Sequence, residues 1–104
     1  MVVKLTKNQI LFNEVKKEIE SKKYKCNFTC SNGKVEKREI TYCISQIQVI
    51  DNIVNFDLWS TYNYYCCYIK NNKVIIKHGV LSENYEYIKK LVENSKFNWE
   101  VLIV

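Results

Sequence analysis

Alanine and proline are absent from this chain, glycine stands only at positions 33 and 79, and Arg38 and His78 are the sole residues of their types. So few glycines exclude a glycine-rich phosphate cradle, which needs several residues without a Cβ. Without alanine, helices must be assembled from Lys, Glu, Asn and Ile, each a weaker helix former. Long apolar runs are missing as well. Tyr64 to Ile69 and Val101 to Val104 are typical of the short ones present, whereas a membrane-spanning helix takes about 20 apolar residues. Between Met1 and Phe12 the apolar residues are broken by Lys4, Lys7, Asn8 and Gln9, so no signal-peptide core fits and the expected location is the cytoplasm.

What is present is a chain of 104 residues, 47% hydrophobic and 26% charged. That is the size of one domain and the composition of a folded one. Lysine occurs 15 times, asparagine and isoleucine 12 times each and tyrosine 8 times. These residues have AT-rich codons, and the missing ones lean on GC, so the coding genome is expected to be AT-rich. Net charge is +5, and it is uneven: residues 1–25 contribute +4, residues 26–81 contribute +2 and residues 82–104 contribute −1. A positive field on the first segment suits either a solvated helix face or an anionic partner.

The first element is a helix from Lys7 to about Lys23. Thr6 and Gln9 form a capping box, Leu5 and Ile10 occupy staple positions, and Leu11, Val15 and Ile19 make the buried stripe. Alternation at Tyr24, Cys26, Phe28 and Cys30 predicts a half-buried strand, and Ser31-Asn32-Gly33-Lys34 a hairpin turn. An odd loop or bulge that sets Cys26 opposite Ile40 and Tyr24 opposite Tyr42 would keep core residues together, with Lys34 to Glu39 protruding into water. Residues 40–54 combine helical spacing with β-branched residues and are read as strand kinked near Ser45. Turns at Asp51-Asn52 and Asn71-Asn72 punctuate the next strands. In the second hairpin, Tyr65, Cys67, Ile69, Val74, Ile76 and His78 share one face, and Tyr64, Cys66, Tyr68 and Ile75 the other. Ser82 is placed to cap a second helix, with Glu83 and Glu86 in its first turn and Tyr85, Ile88, Leu91 and Val92 as its stripe. A final strand runs from Phe97 to Val104. The expected fold is a single α+β domain, an antiparallel sheet of about five or six strands with both helices on one face.

Five cysteines carry no metal-ligand spacing. On a strand, Cys26 and Cys30 stand about 13 Å apart, beyond the roughly 7 Å limit of a disulfide. Cys66 and Cys67 point to opposite faces. The cysteines read as reduced filler, with no metal and no cofactor expected. His78 reads as a structural residue beside Tyr65. An enzyme would have to be built on His78 with Cys43 or Cys67, and the carboxylates form no paired motif.

The aromatic run from Trp59 to Tyr68 is the most distinctive feature. Tyr62, Tyr64, Tyr68 and Ile75 are expected to form an interface, either between two copies as a homodimer or with a host protein, since two helices roof only one face of such a sheet. Lys16, Lys17, Lys22 and Lys23 on the first helix are the candidate contacts for nucleic acid, with the tyrosines stacking unpaired bases. The function class favoured is non-enzymatic binding of a host macromolecule by a small accessory protein of a virus or mobile element, such as an inhibitor of a defence complex. A nucleic-acid-binding protein is the alternative, and a small Cys/His enzyme the second.

Overall fold

The computed structural model of the protein describes residues 4–79 and 85–104. The order is α1 (Lys7–Ser21), β1 (Tyr24–Thr29), β2 (Val35–Ile40), β3 (Cys43–Ile50), β4 (Ile53–Trp59), β5 (Tyr64–Lys70), β6 (Lys73–His78), α2 (Tyr85–Glu93) and β7 (Trp99–Ile103). This is the expected α+β order, mostly antiparallel. Ser82 and Glu83, assigned above to a cap and a first turn, lie outside the described residues.

Helix α1 begins as its capping box dictates. The Thr6 hydroxyl accepts from the Gln9 N–H at 3.2 Å, and the Gln9 side chain accepts from the Thr6 N–H at 2.9 Å. It ends at Ser21, earlier than expected, because Lys22 is already extended. Phe12, Val15 and Ile19 form its buried stripe, with Leu11 only half-buried. Leu5 and Ile10 are 46% and 49% exposed, so they close no tight staple.

The first hairpin takes an odd loop, but in the opposite sense to the expectation. Gly33 adopts φ +83°, and the Cys30 N–H donates to the Lys34 carbonyl at 2.7 Å, closing a loop over Ser31, Asn32 and Gly33. Tyr24 therefore faces Ile40, and Cys26 faces Arg38 rather than Ile40. Strands β1 and β2 form a sheet of their own, separate from the five-stranded order β3-β4-β5-β6-β7.

In that larger sheet the turns behave as expected. Asp51 and Asn52, and likewise Asn71 and Asn72, all take positive φ, as tight two-residue hairpins require. The kink expected near Ser45 is a register shift between Ser45 and Gln48, with Gln46 at φ 54°. One expectation fails at the end of the chain: β7 runs parallel to β6, pairing Val74 with Trp99 and Ile76 with Val101. Helix α2 lies between them, and a connection of this length allows the return that a parallel pair needs.

Phe56, Leu58, Cys67, Ile69, Val74 and Ile76 from one sheet face join Phe12, Val15, Ile19, Tyr24, Ile40, Ile88 and Leu91 in one core cluster. Helix α1 packs across β3, β4 and β5, whereas α2 has β1 as its principal strand neighbour. The roof over the sheet is thus α1 together with a hairpin–α2 unit. Buried tyrosines fill much of it. Burial pushes the hydroxyls of Tyr24 and Tyr65 up to about 12. The Tyr42 hydroxyl accepts from the Asn63 amide at 3.2 Å, while among the described residues the Tyr24 hydroxyl has no partner. Tyr24→Phe should therefore be neutral or stabilise by up to about 1 kcal/mol, and Tyr42→Phe should cost about 1 kcal/mol, in urea unfolding.

Candidate functional site

Alternation along β4, β5 and β6 sends every second side chain to the face that the roof does not cover. Register sets Trp59 opposite Tyr64, Asp57 opposite Cys66 and Asn55 opposite Tyr68. Ile75 continues the row from Tyr68, and β3 adds Ser45 beside Asp57 and Gln48 beside Asn55. A shallow concavity of about 470 Å3 lies on this face, bounded by Gln48, Asn55, Asp57, Tyr64, Tyr68 and Lys77 among others.

The face is not the apolar patch that the sequence suggested. Polar residues alternate with aromatic ones because β3 and β4 contribute serine, glutamine, asparagine and aspartate where β5 contributes tyrosine. The aromatic groups are held by hydrogen bonds on the same face. Tyr64 donates its hydroxyl to the Asp57 carboxylate, the Trp59 indole N–H donates to the Ser45 hydroxyl at 3.0 Å, and the Lys77 ammonium lies 5.6 Å from the Tyr68 ring centre. The Asp57 bond is the main reason that the Tyr64 hydroxyl is pushed up to about 12. Tyr64 remains 60% exposed.

Of the four interface residues expected, the structure brings three to this face and moves one away. Tyr64 and Tyr68 are on it. Ile75 is also there but buried, 9% exposed, between Tyr68 and Glu100 in the register. Tyr62 belongs to the connection between β4 and β5 and stacks against Tyr87 of α2, with ring centres 6.4 Å apart.

That connection holds a feature the sequence reading missed. The Arg38 guanidinium sits 3.9 Å from the Phe28 ring centre and 4.6 Å from that of Tyr62, and donates to the Tyr87 hydroxyl at 3.1 Å. Arg38 was expected in water at the hairpin tip. It is instead a filler between hairpin, connection and α2. Its being the only arginine among fifteen lysines was the available clue, since only a planar guanidinium stacks in this way.

The four lysines lie on the other side of the molecule. The Phe12 ring of α1 packs 5.2 Å from Phe56, which points to the opposite face from Asn55 and Asp57. The tyrosine face and the lysine helix therefore do not form one continuous surface. Lys16 pairs with Glu20 at 3.1 Å, Lys22 with Glu18 at 3.1 Å and Lys23 with Glu39 at 3.5 Å. Lys22 and Lys23 also border a groove of about 320 Å3 together with Lys25 and Lys90. Lys16 and Lys17 do not border it.

Three of the five thiols sit where chemistry at sulfur is disfavoured. All five cysteines are free. Burial, first among the causes, pushes the thiols of Cys26, Cys30 and Cys67 up, away from the reactive thiolate. His78 is buried between Tyr65 and Tyr85, with ring centres 6.4 and 5.6 Å away. Among the described residues no cluster of three or more His, Cys, Asp or Glu side chains is placed to hold a metal ion, and no helix is long and apolar enough to cross a membrane. Compared with protein-family models, curated proteins and solved structures, the chain matches none.

Proposed function

We propose that this protein works by binding rather than by catalysis, holding a partner protein on the open face of its five-stranded sheet. The reading extends to its setting: a small cytoplasmic accessory protein of a virus or mobile element that occupies a host protein, such as a component of a defence complex. The observation that carries the binding reading is the open face itself. Trp59, Tyr64 and Tyr68 stand in a row of hydrogen-bonded polar residues, and tyrosine and tryptophan dominate the energetics of protein interfaces. A second reading, a polyanion such as nucleic acid, draws on the groove bordered by Lys22, Lys23, Lys25 and Lys90.

Affinity purification from host lysate, with and without nuclease, separates the two. The first reading expects a discrete, stoichiometric protein that survives nuclease, and a weakening of about 30-fold or more with Tyr64→Lys. The second expects nucleic acid released by salt, with the salt dependence reduced by roughly two to three phosphate contacts in a Lys23→Glu, Lys25→Glu, Lys90→Glu variant. Lys22 is left unchanged there because it serves Glu18. A partner retained by all these variants removes both surfaces from consideration.

A further inference from the structure

We infer that the free edge of β7 is where a second copy of this chain joins, antiparallel, to make one continuous sheet across a two-fold axis. This goes beyond the reading above and does not depend on what the open face holds. Among the described residues the order β3-β4-β5-β6-β7 leaves β3 and β7 as the outer strands, and an outer strand carries unpaired N–H and C=O groups that invite another strand. The strand β3 is blunted by its register shift between Ser45 and Gln48, with Gln46 at φ 54°, the kind of bulge that interrupts edge pairing. In the small sheet, β2 carries four successive charges, Glu36, Lys37, Arg38 and Glu39. Neither device occurs in β7. Its pairing with β6 is unbroken from Trp99 to Ile103, its single charge is Glu100, and Leu102, Ile103 and Val104 are 39%, 53% and 62% exposed.

By alternation Val101 and Ile103 point to the roofed side, and Leu102 to the open one. A strand apolar on both faces has the composition of a sheet interior, yet β7 occupies a margin. Its own sequence is self-complementary. About a two-fold axis identical strands must run antiparallel, and if residue i meets residue j then j meets i. Centring the axis on Leu102 sets Leu102 against its own counterpart, Val101 against Ile103 and Glu100 against Val104. Every pair then shares a face, as continuous layers require, and no like-charged side chains meet. Such a seam, one short strand from each copy, falls at the small end of stable interfaces, roughly 1,000 Å2, which points to a dimer in the micromolar range.

Light scattering after size exclusion, over a micromolar concentration series, tests this. A monomer–dimer equilibrium is expected, weakened at least tenfold by Leu102→Lys and by Val104→Lys and unaffected by Val49→Lys on the β3 edge. Val104 lies beyond the last residue of β7 and is mostly exposed, so its substitution tests the seam even if Leu102→Lys does not fold. A chain monomeric throughout overturns the proposal. So does a dimer indifferent to both β7 substitutions, or one lost only with Tyr64→Lys, which would put the contact on the open face.

Discussion

Exchanging Glu18 for alanine should destabilise the fold by about 2–4 kcal/mol, the largest loss expected from any polar substitution in the chain. Glu18 is 8% exposed on α1, yet its carboxylate is fully engaged. It accepts from the Ser95 hydroxyl at 2.7 Å, the Lys96 N–H at 3.0 Å and the Lys22 ammonium at 3.1 Å. Ser95 in turn accepts from the Trp99 indole at 2.7 Å and the Phe97 N–H at 3.2 Å. One carboxylate thus ties the first helix to the segment that launches β7. Alanine would strand the Lys96 N–H and the Ser95 hydroxyl without acceptors, and that loss outweighs the relief of burying one charge fewer. Burial by itself raises the Glu18 carboxyl, but the bonds from Lys96, Ser95 and Lys22 together outweigh it and hold the group below its ordinary 4.5. A carboxyl lowered on folding stabilises fully above its unfolded value, and the contribution fades as pH falls through the folded value. Glu18→Gln, which has no proton to gain, should therefore lie below the natural chain at neutral pH and approach it on acidification to about pH 3. Urea unfolding at the two pH values measures this, and a gap that stays constant would show that Glu18 carries no net electrostatic benefit.

Arg38→Ala should lower the urea unfolding midpoint, and Arg38→Lys should lower it by roughly half as much. The lysine variant is the more telling one, because it keeps the charge and loses the plane. An ammonium cannot lie flat between Phe28 and Tyr62 while donating to Tyr87. The damage should be local: amide exchange ought to quicken in β1, β2 and the turn around Tyr62, with β4 and β5 still protected. Uniform loss of protection would mean that the hairpin and the large sheet unfold as one unit.

Much of this architecture was legible in the chain. The capping box of Thr6 and Gln9, the turns at Asp51-Asn52 and Asn71-Asn72 and the alternation of β5 and β6 are local codes, and each appears as read. Two features needed partners remote in sequence. Whether β7 pairs parallel or antiparallel depends on where the crossover returns the chain, which no residue in Trp99–Ile103 specifies. The Ser31–Gly33 loop admits two odd registers, and the choice that sets Cys26 opposite Arg38 is favoured only once Tyr62 and Tyr87 are there to receive the guanidinium. The open face was foreseen from Tyr64, Cys66 and Tyr68. Its polarity was not, because Ser45 and Gln48 sit on the strand whose phase the kink obscured, and Asn55 and Asp57 meet the tyrosines only through strand pairing. Tyr87, a core residue of α2, escaped notice because the stripe was drawn through Tyr85, which is half exposed.

The scarcity of glycine reaches down to the backbone. Four turn positions, Asp51, Asn52, Asn71 and Asn72, hold positive φ with a side chain attached, where glycine would sit without steric penalty. Asn8 clamps both turns, but only through main-chain atoms, donating to the Asn52 carbonyl at 2.9 Å and accepting from the Asn72 N–H at 3.4 Å. The side chains of Asn52 and Asn72 are thus spectators, and the clamp would survive their removal. The corners of the sheet therefore rest on asparagine and aspartate, the residues that tolerate positive φ best after glycine, so a glycine placed at any of the four should relax its turn without loosening the clamp.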